Sequence, residues 1–167
     1  MKASAFVLLA LAATAACNSD IAGLGPPSDP ATETFAASLN VDISSMTKLP
    51  GGTYIKDLVT GTGDSVTAET DTIWVTYAGY LKDGTLFEAE TNRKFQPIQL
   101  VPGLRGGLIG LRVGGRRQMV IPSEQAYGPV SQRGDDGKIL IPRQSTLIMD
   151  VTLLNLHQFV PPASPAP

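Results

Sequence analysis

Thr72 to Leu81 carries Ile73, Val75, Tyr77, Gly79 and Leu81 at every second position. A period of two belongs to a β-strand, because successive side chains point to opposite faces. Trp74, Thr76, Ala78 and Tyr80 then face the other way. Lys82-Asp83-Gly84-Thr85 follows directly, and Asp-Gly is the strongest short hairpin signal. Leu86-Phe87-Glu88 begins the returning strand. A strand that alternates in this way needs an antiparallel neighbour and something to cover its apolar face. The chain is thereby committed to a sheet with one buried side.

The rest of the core falls into line with that sheet. Thr53 to Val59 reads as a strand before the turn Gly61-Thr62-Gly63-Asp64. Arg116 to Ile121 is another, stopped by Pro122, and its Arg116-Arg117 pair reads as a solvated strand face. Thr146 to Leu156 is the last, with Leu147, Met149, Val151 and Leu153 on one side. One segment has helical spacing. Pro102 suits a first turn, and Leu104, Leu108 and Leu111 share a face. Gly106, Gly107 and Gly110 weaken that helix by about 1 kcal/mol each, so tertiary packing must hold it. The segment is expected to run from Pro102 to Leu111 and to end by Gly114-Gly115. The predicted fold is α+β: a mostly antiparallel sheet of five to six strands wrapped around one short helix.

Both ends differ from this core. In residues 1–16, Lys2 precedes an apolar run from Phe6 to Ala13, too short to span a bilayer at about 20 residues. Small residues follow, the layout of a secretory signal. Thr14-Ala15-Ala16-Cys17 resembles a bacterial lipobox, although Thr14 stands where Leu is usual. The expectation is a lipidated Cys17 anchoring the protein in a bacterial cell envelope, facing the periplasm. A plain cleavage site at Ala13-Thr14-Ala15 competes and would leave a soluble periplasmic or secreted protein. Residues 17–45, with Gly25-Pro26-Pro27 and Asp29-Pro30, read as a flexible tether. Phe35, Leu39, Val41 and Ile43 are candidates to dock one edge of the domain, which spans 46–157. Residues 158–167 are expected to be a disordered proline-rich tail.

Several chemistries are excluded by counting. The formal net charge is −2, without the basic field of a nucleic-acid binder. His157 is the only histidine and Cys17 the only cysteine. No Cys/His cluster has metal-ligand spacing, so neither a metal nor another cofactor is expected. A Ser-His-Asp arrangement would need His157 itself to reach a cleft.

Taken in order, the segments resemble one family. Val75-Thr-Tyr77-Ala-Gly79-Tyr-Leu81-Lys-Asp-Gly84-Thr-Leu-Phe87-Glu88 is similar to the opening signature of FKBP-type peptidyl-prolyl cis-trans isomerases. Val101-Pro-Gly103-Leu104 with Gly107-Leu108 resembles their central helix. Val113-Gly114 through Pro122, Ala126-Tyr127-Gly128, Ile141-Pro142 and the run from Ser145 to Leu154 resemble the segments that follow. The resemblance covers about 105 residues. It implies an enzyme that speeds X-Pro rotation in secreted or envelope proteins, with proline-containing unfolded or partly folded polypeptides as partners. Weak binding of rapamycin-like macrolides is also implied.

The chemistry suits such a chain. Amide resonance sets a rotation barrier of about 18–20 kcal/mol. X-Pro isomers differ by only about 0.5–1 kcal/mol yet exchange over tens to hundreds of seconds. A twisted amide is less charge-separated than a planar one, so an apolar, water-poor pocket favours it. By resemblance, Tyr77, Phe87, Glu88 and Tyr127 are the catalytic residues, and Val101, Leu104, Ile141 and Met149 bind substrate. Leu104 would form the floor and Glu88 the polar wall. The Tyr127 hydroxyl and the Val101 N–H would hold carbonyls, and Phe95 or Ile98 would add a wall.

Taken singly, Tyr77, Phe87 and Leu104 read equally as core, Tyr127 as a turn aromatic and Glu88 as a solvated charge. Leu104, Glu88 and Met149 stand where many members have Trp, Asp and Phe, and a Met wall is flexible. The segment from Pro129 to Leu140 is longer than in minimal members and is expected to be a loop that tunes selectivity at the pocket mouth. The competing function is a catalytically weak proline-binding module or holdase chaperone of the envelope.

Overall fold

The protein is described by a computed structural model over residues 29–159. The expected signal segment, Cys17, the first part of the expected tether and residues 160–167 lie outside the described residues. In chain order the elements are β1 (Thr47–Lys48), β2 (Tyr54–Val59), β3 (Thr72–Leu81), β4 (Leu86–Phe95), α1 (Pro102–Leu108), β5 (Arg116–Ile121), β6 (Gln132–Arg133), β7 (Ile139–Ile141) and β8 (Leu147–His157). Six strands form one sheet in the order β1-β2-β5-β8-β3-β4, with every pairing antiparallel.

Register explains where the core sits. Gly79 of β3 lies opposite Met149 of β8, which lies opposite Met119 of β5. One rung away, Tyr77 faces Val151 and Val151 faces Arg117. Alternation therefore puts Ile73, Val75 and Tyr77 on the same face as Leu147, Met149, Val151 and Leu153. All seven are buried, in one cluster with Leu108 and Leu111. The helix covers this inner face, as the α+β reading expects.

The helix is shorter than its sequence pattern. It ends at Leu108, because Ile109 leaves helical geometry and Gly110 takes φ +80°. The Gly110 N–H then donates to the Val66 carbonyl at 2.8 Å, outside the helix. The stop is thus Gly110, not Gly114-Gly115. The glycines that weaken α1 also let it lie close to the sheet. A Cβ on Gly103 would collide with Ile121 Cγ2, and one on Gly107 with Met119 Sδ.

Arg117 is not on a solvated face. Its side chain is only 6% exposed. The guanidinium donates to both carboxylate oxygens of Asp57, at 2.6 and 3.0 Å. It also donates to the carbonyls of Gly107 and Ile109, at 2.7 and 2.9 Å. These are carbonyls at the C-terminal end of α1, which has no intrahelical donor for them. Arg116, by contrast, is half-exposed and paired with Asp150.

Nor is all of 17–45 loose. From Asp29 onward the chain makes three 3₁₀ turns, two of them started by Asp29 and Asp42 side chains accepting from backbone N–H groups. Leu39 is buried against Tyr54, Val120 and Ile148, with Phe35, Val41 and Ile43 packed around them. Those residues come from β2, β5 and β8, so the segment covers the outer face of the sheet rather than an edge. Gln118, buried on that face, donates to the Leu39 carbonyl at 2.9 Å.

The far end is also fixed beyond 157. The Phe159 N–H donates to Asp71 Oδ1 at 3.0 Å, and Thr67 and Ala68 donate to Oδ2. Burial pushes the Asp71 carboxyl up, but these N–H groups together hold it below the ordinary carboxylate value.

Candidate functional site

A cavity of about 280 Å³ opens between α1 and the inner face of the sheet. Its walls follow from the periodicities. Val101, Leu104 and Leu108 share one side of α1 at spacings of three and four. Ile73, Val75 and Tyr77 alternate on β3, and Leu147, Met149 and Val151 on β8. The exposed edge strand β4 contributes Phe87, Glu88 and Phe95, and Tyr127 enters after β5. Gly79 makes room for this arrangement: a Cβ there would lie 2.5 Å from Phe87 Cζ and 3.0 Å from Met149 Sδ. The missing side chain lets the Phe87 ring pass over β3.

The polar groups are few. The Tyr77 hydroxyl donates to Glu88 Oε1 at 2.8 Å, and its ring tilts against Phe95 with centroids 5.8 Å apart. Burial, then the bond to Glu88, pushes the Tyr77 hydroxyl far above its ordinary value, so it stays protonated. Tyr127 is also raised, by burial first and the Glu88 charge second. Its hydroxyl makes no hydrogen bond to another described residue, and the side chain is 38% exposed. Val101 is the N-cap of α1, and N–H groups at a helix start have no intrahelical acceptor. Glu88 is the one carboxylate among the lining side chains, which include no Lys, Arg or His. Among the described residues no group of three His, Cys, Asp or Glu could hold a metal ion.

Seven of the eight site residues read from the sequence line this cavity: Tyr77, Phe87, Glu88, Val101, Leu104, Tyr127 and Met149. Ile141 does not. It is 4% exposed at the end of β7 and packs in the same buried cluster as the lining residues Tyr77 and Met149, without lining the cavity itself. Of the two wall candidates, Phe95 lines the cavity. Ile98 is half-exposed on a 3₁₀ turn whose N–H is bound to the Glu69 carbonyl. Sequence reasoning missed Gln99, Leu100, Leu108 and Ile121 as lining residues, and with them Ile73, Val75, Leu147 and Val151 on the strands. Alternation had put the last four on the faces of Tyr77 and Met149, so the signal for them was present. The segment 129–140 is a small hairpin of β6 and β7 turned by Gly134-Asp135-Asp136-Gly137, not an irregular loop.

Comparison with known proteins gives consistent matches. A family profile described as FKBP-type peptidyl-prolyl cis-trans isomerase matches residues 63–154. An FK506-binding protein of Neisseria meningitidis serogroup B is 35% identical over 65% of this chain and 99% of its own length. A probable FKBP-type 25 kDa peptidyl-prolyl cis-trans isomerase of Pseudomonas aeruginosa is 34% identical over 79% of this chain and 56% of its own. Among solved structures, a peptidyl-prolyl cis-trans isomerase of Pseudomonas syringae superposes with a TM-score of 0.62 at 28% identity, covering 73% of this chain and 87% of that one. FkpA of Escherichia coli gives 0.58 at 31% identity, over 66% of this chain and 51% of that one.

Proposed function

The chain belongs to the FKBP-type peptidyl-prolyl cis-trans isomerases, and we propose that it accelerates X-Pro rotation by holding the twisted amide in the cavity under α1. The supporting observation is the cavity's make-up: apolar walls, a single carboxylate tied to Tyr77, and a Tyr127 hydroxyl with no hydrogen-bond partner among the described residues. In the planar amide, resonance places positive charge on nitrogen and negative charge on oxygen. Twisting removes that separation. Water favours the planar form by solvating its dipole, and an apolar wall of Leu104, Met149, Phe87 and Phe95 does not. The barrier is lowered because the site suits the twisted state better than the planar one.

No bond is made or broken and no proton is transferred. The donors only fix the chain on either side of the rotating bond. Tyr127 is placed at the mouth to donate to a substrate carbonyl, with the Val101 N–H as a second donor. Leu104 forms the floor. Proline-containing polypeptides are the substrates, and rapamycin-like macrolides are weak competitors for the same walls.

Tyr127→Phe removes one neutral hydrogen bond, worth about 0.5–1.5 kcal/mol. kcat/KM is expected to fall about three- to tenfold, with the urea midpoint unchanged. Both tyrosine hydroxyls are raised above an ordinary value of 10.0, so activity is expected to be flat from pH 6 to about 9. An unchanged rate in the variant contradicts the carbonyl-donor role of Tyr127.

The placement of Cys17, directly after the apolar run and before a Gly/Pro-containing stretch, supports a lipid anchor in a bacterial envelope with the domain facing the periplasm. Two or more buried acyl chains hold a protein firmly, at about 0.8 kcal/mol per CH₂. Cys17→Ser is expected to move the protein from the membrane fraction to the soluble fraction or to block its maturation. Identical fractionation of variant and wild type contradicts the anchor.

A further inference from the structure

Asp71 is the one fully buried acid among the described residues, at 1% exposed, and the reaction described above makes no use of it. It stands immediately before β3 and does not line the cavity. Its carboxylate closes the loop in front of that strand. Oδ2 accepts from the Thr67 and Ala68 N–H groups at 2.9 and 3.0 Å and from the Thr67 hydroxyl at 3.3 Å. Oδ1 accepts from the Phe159 N–H at 3.0 Å, and the Asp71 N–H donates back to the Ala68 carbonyl. Bonds to an ionised acceptor are the strong kind, so this carboxylate fixes residues 67–71 against the chain leaving β8.

The closed loop grips one wall of the cavity from both ends. The Glu69 carbonyl accepts from the Ile98 N–H at 2.9 Å, and the Glu69 carboxylate pairs with Arg105 at 3.3 Å. The neighbouring Thr70 carbonyl accepts from the Gln96 side-chain amide at 3.3 Å. Gln96 and Ile98 belong to the 3₁₀ turn at Pro97–Gln99, and Arg105 belongs to α1. Between these attachments lie Gln99, Leu100, Val101 and Leu104, all of which line the cavity. α1 has only seven residues, with glycine at 103, 106 and 107, and a helix that short does not hold its own start.

We infer that Asp71 is a positioning residue for the proposed isomerase site: acting through Glu69 and Thr70, it keeps the wall from Gln99 to Leu104 in the arrangement that accepts a proline segment. The inference rests on that reading of the cavity and adds to it a residue outside the cavity. Asp71 touches no substrate. Without its carboxylate the 67–71 loop loses its closure, and the wall occupies the accepting arrangement only part of the time. Apparent affinity falls by that same fraction. Bound substrate selects the accepting arrangement, so turnover of the complex is retained. The signature is a rise in KM at constant kcat, which a residue serving stability alone does not give.

The test measures kcat and KM for an Ala-Leu-Pro-Phe peptide on the intact chain, well below the unfolding temperature, and peptide affinity by NMR titration. Asp71→Ala is expected to raise KM and Kd about five- to tenfold while kcat stays within about twofold. Asp71→Asn keeps a carbonyl oxygen for the Thr67 and Ala68 N–H groups and is expected to bring KM back to within about twofold of wild type. Glu69→Ala releases only Arg105, a partly exposed pair, and is expected to raise KM about two- to threefold. In Asp71→Ala the Ile98 amide is expected to exchange with solvent faster relative to the Val151 amide in the middle of the sheet. Ile148→Val, in the cluster on the outer face, loses stability without touching this loop and is expected to keep the wild-type KM. An unchanged KM in folded Asp71→Ala, or in Glu69→Ala where Asp71→Ala does not fold, overturns the inference. So does a loss confined to kcat, or an Asp71→Asn variant as poor as Asp71→Ala. Weaker peptide binding by Asp71→Ala in a chain without catalysed exchange upholds the positioning role and sinks the isomerase reading.

Discussion

Arg117→Met is expected to lower the free energy of unfolding by about 3–5 kcal/mol, the largest stability effect of any single side chain considered. Arg117 joins three parts of the fold. It is on β5, its partner Asp57 is on β2, and its other acceptors are the carbonyls of Gly107 and Ile109 at the end of α1. Hydrogen bonds from a charged donor contribute about 1.5–3 kcal/mol each, and acceptors left buried without a donor cost further. Methionine keeps much of the volume, so the loss is of bonds rather than of packing. Asp57 is 41% exposed and can be rehydrated, which keeps the cost below the sum of the bonds. At an m-value of about 2 kcal/mol/M, the urea midpoint should move down by about 2 M. A shift under 0.5 M would show that the end of α1 does not need this cap.

Leu104→Asn is expected to reduce kcat/KM about 30- to 100-fold, the largest functional effect. The two side chains are close in size, but asparagine brings an amide dipole and the water that solvates it. Loss of an apolar contact the size of leucine is worth about 2–3 kcal/mol, and each 1.36 kcal/mol is a factor of ten in rate. If catalysis depends on disfavouring the planar amide's charge separation, a polar floor restores part of the solvent's preference. The effect should fall mainly on turnover. Leu104 is only partly buried at the cavity, so the fold should survive with a stability loss near 1 kcal/mol.

Strand elements with a buried face were legible because one physical pattern dictates them. The alternation from Ile73 to Leu81 and from Leu147 to Leu153 places side chains on the faces where the structure has them. The end of α1 was not legible in the same way. It depends on Gly110 adopting φ +80° and on the Val66 carbonyl drawing its N–H away, a contact made across 44 residues of sequence. Arg117 reads as a surface charge in any local window, because Asp57 and the carbonyls of α1 meet it only when the sheet closes. The segment from Asp29 to Met46 has no period, so only the apolar types of Phe35, Leu39, Val41 and Ile43 hinted that it docks.

The site divides similarly. Tyr77, Phe87, Leu104 and Met149 came from motifs whose strand and helix positions put them on one cavity. Ile141 was carried over from a motif in which Pro142 follows it. Here Ile141 packs in the buried cluster that Tyr77 and Met149 share but is not among the residues lining the cavity. The bond between Tyr77 and Glu88 spans eleven residues across a hairpin with two register shifts, and no spacing rule predicts it.

The most direct measurement is NMR exchange spectroscopy on an Ala-Leu-Pro-Phe peptide with catalytic amounts of the purified chain, alongside Leu104→Asn. Uncatalysed exchange takes tens to hundreds of seconds. The wild type is expected to bring cis–trans exchange into the range of seconds or faster, in proportion to its concentration, and Leu104→Asn to remove most of that gain. A folded wild type that binds the peptide yet leaves the exchange rate at its uncatalysed value would contradict isomerisation and leave a proline-binding module in its place.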